Sequence, residues 1–245
     1  IPEGDRGPCG ESSEQQTKQA LGGLGGRAAL SVHQQADRAA VADAERQHLV
    51  DGRAQRAGRP LTLWERESLE PMITWSDNDA ADELWWDLGG APALTDYLRR
   101  IGVDGIVPDS EGYWGDSKAA PKALAYLLAK VLWGNLLSAE GRGYELQLLG
   151  NVESDQRWGM VDPRVGATPG DWLVGLKDGW YPDDDGWEVN TAGYVVPLQG
   201  TGAYTMSVLS AGYPTFEQGV EELNTLARFI HASVKPQSAS NAAAR

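Results

Sequence analysis

Cysteine is almost absent: Cys9 stands alone in 245 residues, so no intramolecular disulfide can staple the fold. The three histidines, His33, His48 and His231, are scattered, and neither C-x-x-C nor H-E-x-x-H spacing occurs. No metal or other cofactor is therefore expected, and no histidine is assigned a catalytic role. Long apolar runs are missing, so no transmembrane segment is predicted. Positive charge is scarce as well. With Lys+Arg 21 against Asp+Glu 35, the formal charge of −14 argues against nucleic acid or anionic lipid as partners held by a general basic field. An initiating Met is also lacking, and a start at Ile1 implies a removed signal peptide or a missing piece.

What is present is ordinary globular material. At 41% apolar with ten Trp, the chain can bury a core as one domain or two packed lobes. Residues 1–15 read as a loose leader and 16–24 as a helix, closed by a glycine run whose order does not fit a phosphate-cradling loop. Strands are expected at 27–33 and 38–43, forming a hairpin, and a helix at 49–57. Thr62-Leu63-Trp64-Glu65 has the form of a capping box and opens a helix that should end near Pro71. Helices follow at 79–88 and 92–101, each stopped by glycine, then a loop at 108–116 and helices at 119–133 and 140–151. Strands at 171–177 and 187–196 flank a turn at 182–186, whose three aspartates lack calcium-loop spacing. A last strand at 204–210 precedes an amphipathic helix at 216–234, and the Ala-rich tail should be frayed. Trp85, Trp86, Trp158 and Trp187 are assigned to core packing, whereas Trp180 and Tyr181 could wall a cleft.

The stretch Thr74-Trp75-Ser76-Asp77-Asn78-Asp79 orders these elements. By itself it is a helix start rich in capping residues. Its surroundings match as a block, with Leu69-Glu70-Pro71-Met72-Ile73 before it and Glu83-Leu84-Trp85-Trp86 through Ile101-Gly102 after it. About a hundred residues downstream lies Lys177-Asp178-Gly179. From about Gly58 to Val234 the chain resembles the class A serine β-lactamases and the related penicillin-binding-protein-like serine hydrolases, in which S-D-N is the second active-site motif and K-T/S-G, on a strand, the third.

The resemblance implies an α+β fold: an antiparallel sheet flanked by helices, with an inserted helical lobe and a cleft between. It divides the chain into a leader and N-terminal helix at 1–26, an α/β lobe at 27–60 and 165–235, a helical lobe at 61–164 and a disordered tail at 236–245. It implies hydrolysis of a small-molecule amide or ester through an acyl-serine, by a secreted or cell-envelope monomer. In this pattern Ser76 relays a proton toward the leaving group. Asn78 grips the acyl side chain, Lys177 orients anionic substrate and tunes Ser76, and Trp180, after Gly179, supplies a backbone oxyanion donor. Asp178 stands where the family has a hydroxyl that binds substrate carboxylate. A carboxylate there repels an anionic ligand, so a neutral or cationic one fits better unless Asp178 is protonated or turned away. The bland alternative makes Lys177 and Asp178 an exposed charge pair on a strand.

One absence outweighs the rest: no S-x-x-K or T-x-x-K, the family's nucleophile motif, occurs in these 245 residues. A missing segment of about twenty residues near His48–Leu49 accounts for this, or else residues 41–55 have diverged into the nucleophile helix. E-x-x-x-N is also missing before Trp114-Gly115, leaving Glu111 as the nearest deacylating carboxylate. Two functions follow, a serine hydrolase of this family or a non-catalytic binding or regulatory protein that keeps the same cleft.

Overall fold

A computed structural model describes residues 50, 53–54, 59–161, 172–198 and 202–234. The strands expected at 27–33 and 38–43, the leader and the tail lie outside these residues. Val50, Arg53 and Ala54 are helical.

Helix α1 (Leu63–Thr74) starts as its sequence predicts. The Thr62 hydroxyl accepts the Glu65 N–H at 3.1 Å, and the Glu65 carboxylate accepts the Thr62 N–H at 2.8 Å, closing the capping box. It does not end at Pro71, which sits inside it. Proline removes one intrahelical donor, but Met72 and Ile73 beyond it are fully buried, and packing them outweighs the lost bond. Asp77 then caps α2 (Asn78–Leu88), its carboxylate accepting the Ala80 N–H at 2.9 Å. Gly89 and Gly102, both at positive φ, end α2 and α3 (Gly90–Ile101). Trp85 faces the core, whereas Trp86, one residue round the helix, is 66% exposed and not a core residue.

After the short antiparallel pair β1 (Ile106–Val107) and β2 (Lys118–Ala119) come α4 (Pro121–Trp133) and α5 (Ala139–Gly150). The main described sheet has three antiparallel strands in the order β3 (Trp172–Asp183), β4 (Gly186–Pro197), β5 (Tyr204–Val208). The β3–β4 register runs unbroken from Trp172↔Pro197 to Asp183↔Gly186. β4 is buried continuously from Glu188 to Val195, as a central strand covered on both faces must be. On one side Val189 packs on α6 (Phe216–Ser233), in an apolar cluster with Leu223 and Ala227 that also takes in Met72 and Ile73 of α1 and, from the other face of β4, Tyr194. On the other, Ala192 meets a second cluster built on Leu124, Leu127 and Leu128 of α4. Among the described residues no helix is long and apolar enough to cross a membrane.

Candidate active site

The end of α1 is held tightly. The Pro71 carbonyl accepts both the Trp75 N–H, at 3.0 Å, and the Asp77 N–H, at 3.2 Å. The chain therefore turns sharply between them, and Ser76 takes φ +54°, the one positive φ at a non-glycine among the described residues. A left-handed serine costs about 1 kcal/mol or more, and surrounding contacts must hold it. Two side chains do so. The Lys177 ammonium donates to Ser76 Oγ at 2.6 Å, and Ser76 Oγ donates to Gln156 Oε1 at 2.7 Å. The other end of the Gln156 amide donates to the Trp75 carbonyl at 3.1 Å, which fixes the oxygen toward Ser76.

Lys177 reaches this corner from β3, across 101 residues of sequence. It is only 1% exposed, and it also donates to the Asp178 carbonyl at 2.7 Å. The exposed charge pair is thus replaced by two buried side chains that leave the strand on opposite sides, as alternate strand residues must. Asp178 accepts the Trp158 N–H at 2.7 Å and lies opposite Thr191 on β4. Burial pushes its carboxyl up to about 8, against the downward pull of hydrogen bonding and of the Lys177 and Arg157 charges. The side chain is turned inward and its burial favours the neutral form, so it does not face a ligand beside Ser76.

Asn78 is exposed at the first position of α2, two residues from Ser76. Gly179 is buried on β3, and the Trp180 ring packs against Trp158, at 5.3 Å between centroids, and Phe216. Tyr181 is exposed. Glu111 is exposed on the 108–116 loop, its N–H bound to Asp109 Oδ2 at 2.9 Å. The structure thus brings together Ser76 and Lys177, with Asn78 beside them, and directs the Asp178 and Trp180 side chains to the α6 side. Gln156 has no sequence signal: it lies 80 residues from Ser76 in an unremarkable polar stretch, and only the fold shows its role. His231, in α6, pairs with Tyr204 and packs on Trp172.

The corner thus sets a serine hydroxyl against a buried lysine ammonium immediately before a helix. A family model described as the beta-lactamase enzyme family matches residues 37–234. This chain belongs to that family. It is a class A serine β-lactamase-like protein with an α+β fold. Beta-lactamase CARB-3 of Pseudomonas aeruginosa is 38% identical over 92 residues, which cover 34% of this chain and 31% of that protein. Beta-lactamase L2 of Stenotrophomonas maltophilia is 29% identical over 181 residues, or 70% and 56%. The chain thus spans about a third of the length of the first of these relatives and little more than half of the second. Among solved structures, an ancestral (GNCA) class A beta-lactamase aligns with TM-score 0.69 and 21% identity, covering 89% of this chain and 98% of that one. The last common ancestor of Gram-negative bacteria (GNCA4) beta-lactamase class A gives the same values. At that identity the likeness shows the shared fold.

Proposed function

We propose that this β-lactamase-like hydrolase-family protein binds a small-molecule amide or ester in the cleft at Ser76, with Lys177 orienting the ligand and Asn78 contacting its acyl side chain. One observation carries this reading: Lys177 Nζ lies 2.6 Å from Ser76 Oγ, joining two motifs 101 residues apart. With the Asp178 carboxyl buried and turned away, the charge presented to Ser76 is the Lys177 ammonium, which suits an anionic compound such as a β-lactam. The inward turn of Asp178 meets the condition under which the preference for a neutral or cationic ligand no longer applies, and that supports the anionic reading. On the family resemblance, the protein acts in a secreted or cell-envelope location.

Equilibrium binding of a fluorescent penicillin tests the reading. Lys177→Ala should weaken binding at least tenfold and Asn78→Ala severalfold. Wild-type protein that shows no saturable binding overturns it.

A further inference from the structure

Gln156 belongs to neither motif, yet its amide decides where the single proton on Ser76 points. Its Nε2 donates to the Trp75 carbonyl at 3.1 Å, so Oε1 faces Ser76 and accepts the Oγ–H at 2.7 Å. The Lys177 ammonium has no lone pair and can only donate to the same Oγ. At rest, therefore, the Ser76 proton is committed to Gln156 and is not offered to a ligand. Resting on the proposed binding of an amide or ester in this cleft, we propose that Gln156 is a specificity-determining residue: a ligand must take the Ser76 proton from its amide oxygen, and this favours ligands that carry a carboxylate over their neutral esters.

Acceptor strength makes the selection. A neutral carbonyl that takes the Ser76 proton replaces one amide-like acceptor by another of similar strength and gains little. A carboxylate makes a charge-assisted hydrogen bond, roughly twice as strong as a neutral one, and displaces the amide with a net gain. Water in the place of Oε1 would compete less well, because it would have to be immobilised, whereas the Gln156 amide is already held at both ends. Ser76 and Gln156 are both half-buried, so the bond between them is partly screened from water and still within a ligand's reach. Neighbouring groups hold the segment independently of the Gln156 side chain: the Glu153 N–H donates to the Thr74 carbonyl at 2.9 Å, and the Arg157 guanidinium donates to the carbonyls of Gly150, at 3.0 Å, and Val174, at 3.4 Å. A substitution at Gln156 therefore changes the acceptor and leaves the segment beside the Ser76 corner.

The test is competition against the fluorescent penicillin on the full chain, with benzylpenicillin and its methyl ester as the two probes. Wild type should hold the acid at least about tenfold tighter than the ester. Gln156→Met, close in volume and unbranched but without the amide oxygen, should tighten the ester severalfold and the acid less, so that the ratio narrows. Lys177 favours the acid in every variant, so the change in the ratio reads Gln156 alone. Gln156→Glu sets a charged acceptor on the Ser76 proton and should weaken both probes, by a factor that fades as the pH falls and the introduced carboxyl takes a proton, which a packing defect would not do. Penicillin binding in which Gln156→Met weakens both probes in parallel or leaves the ratio unchanged, or in which the Gln156→Glu penalty does not vary with pH, overturns the role of Gln156 and leaves the binding reading standing. Absence of saturable penicillin binding to the wild type overturns both.

Discussion

Two carboxyl groups in this molecule are equally hidden from solvent, each 1% exposed, one near the surface beside half-exposed arginines and one deep in the core, and their surroundings push them in opposite directions. Glu65, at the start of α1, receives the Arg59 guanidinium at 2.7 and 2.8 Å, Arg53 at 2.8 Å and the Thr62 N–H at 2.8 Å. Those donors hold its carboxyl well below the usual carboxylate range, the Arg59 hydrogen bonds contributing most. Asp178, on β3, has the Trp158 N–H on one oxygen and the neutral Thr191 hydroxyl of β4 beside it, with no charged donor in contact with the carboxyl among the described residues. Arg157 is close enough to be felt electrostatically, but its hydrogen bonds go to the carbonyls of Gly150, Val152 and Val174. Burial therefore decides for Asp178, and partners decide for Glu65. Solvent exposure alone does not tell whether a hidden acid is charged; how deeply it is desolvated and which donors reach it decide together.

Removing Glu65 breaks the comparison most severely. Glu65→Ala removes the acceptor shared by Arg53, Arg59 and the Thr62 N–H, and should give the largest loss of stability of the three variants in urea unfolding at neutral pH. In the wild type this contribution is present above the ordinary glutamate range and is lost as pH falls below it, because the folded carboxyl is the more acidic of the two states. Asp178 has the reverse sign. Its folded carboxyl keeps a proton up to about pH 8 that the unfolded chain has already released, so its contribution weakens as pH rises through that window. Asp178→Asn, which mimics the neutral acid, should remove this slope and gain about 2 kcal/mol on wild type between pH 5 and pH 7, measured as the difference in unfolding free energy. A variant that falls with pH as steeply as wild type would show that Asp178 is already ionised. The smallest effect is expected at Thr62→Ala, which deletes one capping partner of Glu65 and should cost about 1 kcal/mol in thermal unfolding.

The helices of this fold were legible because their ends carry local signals: Thr62 with Glu65, Asp77 before Ala80, and glycine after Leu88 and Ile101. The β3–β4 hairpin was legible from two apolar runs around an aspartate-rich turn. Pro71 misled because the sequence shows the missing donor and hides the burial of Met72 and Ile73 that offsets it. Trp86 misled because its neighbour Trp85 is chemically identical, and one residue of helical rotation separates core from solvent. At the candidate site, Ser76 and Lys177 were recognisable as motif residues. The inward turn of Asp178 depends on which β3 residues face α6, and the Gln156 contact on a meeting of segments 80 residues apart. Neither is encoded in local spacing.

The Pro71 carbonyl has a consequence for motion. Because it accepts from both Trp75 and Asp77, the strained serine between them is tied into the last helical turn and does not belong to a free loop. That turn and the Ser76 corner therefore open as one cooperative unit. The lifetime of the strained geometry is set by the packing of Met72 and Ile73 in the core, so disturbing those two side chains would loosen a serine that neither of them needs to touch.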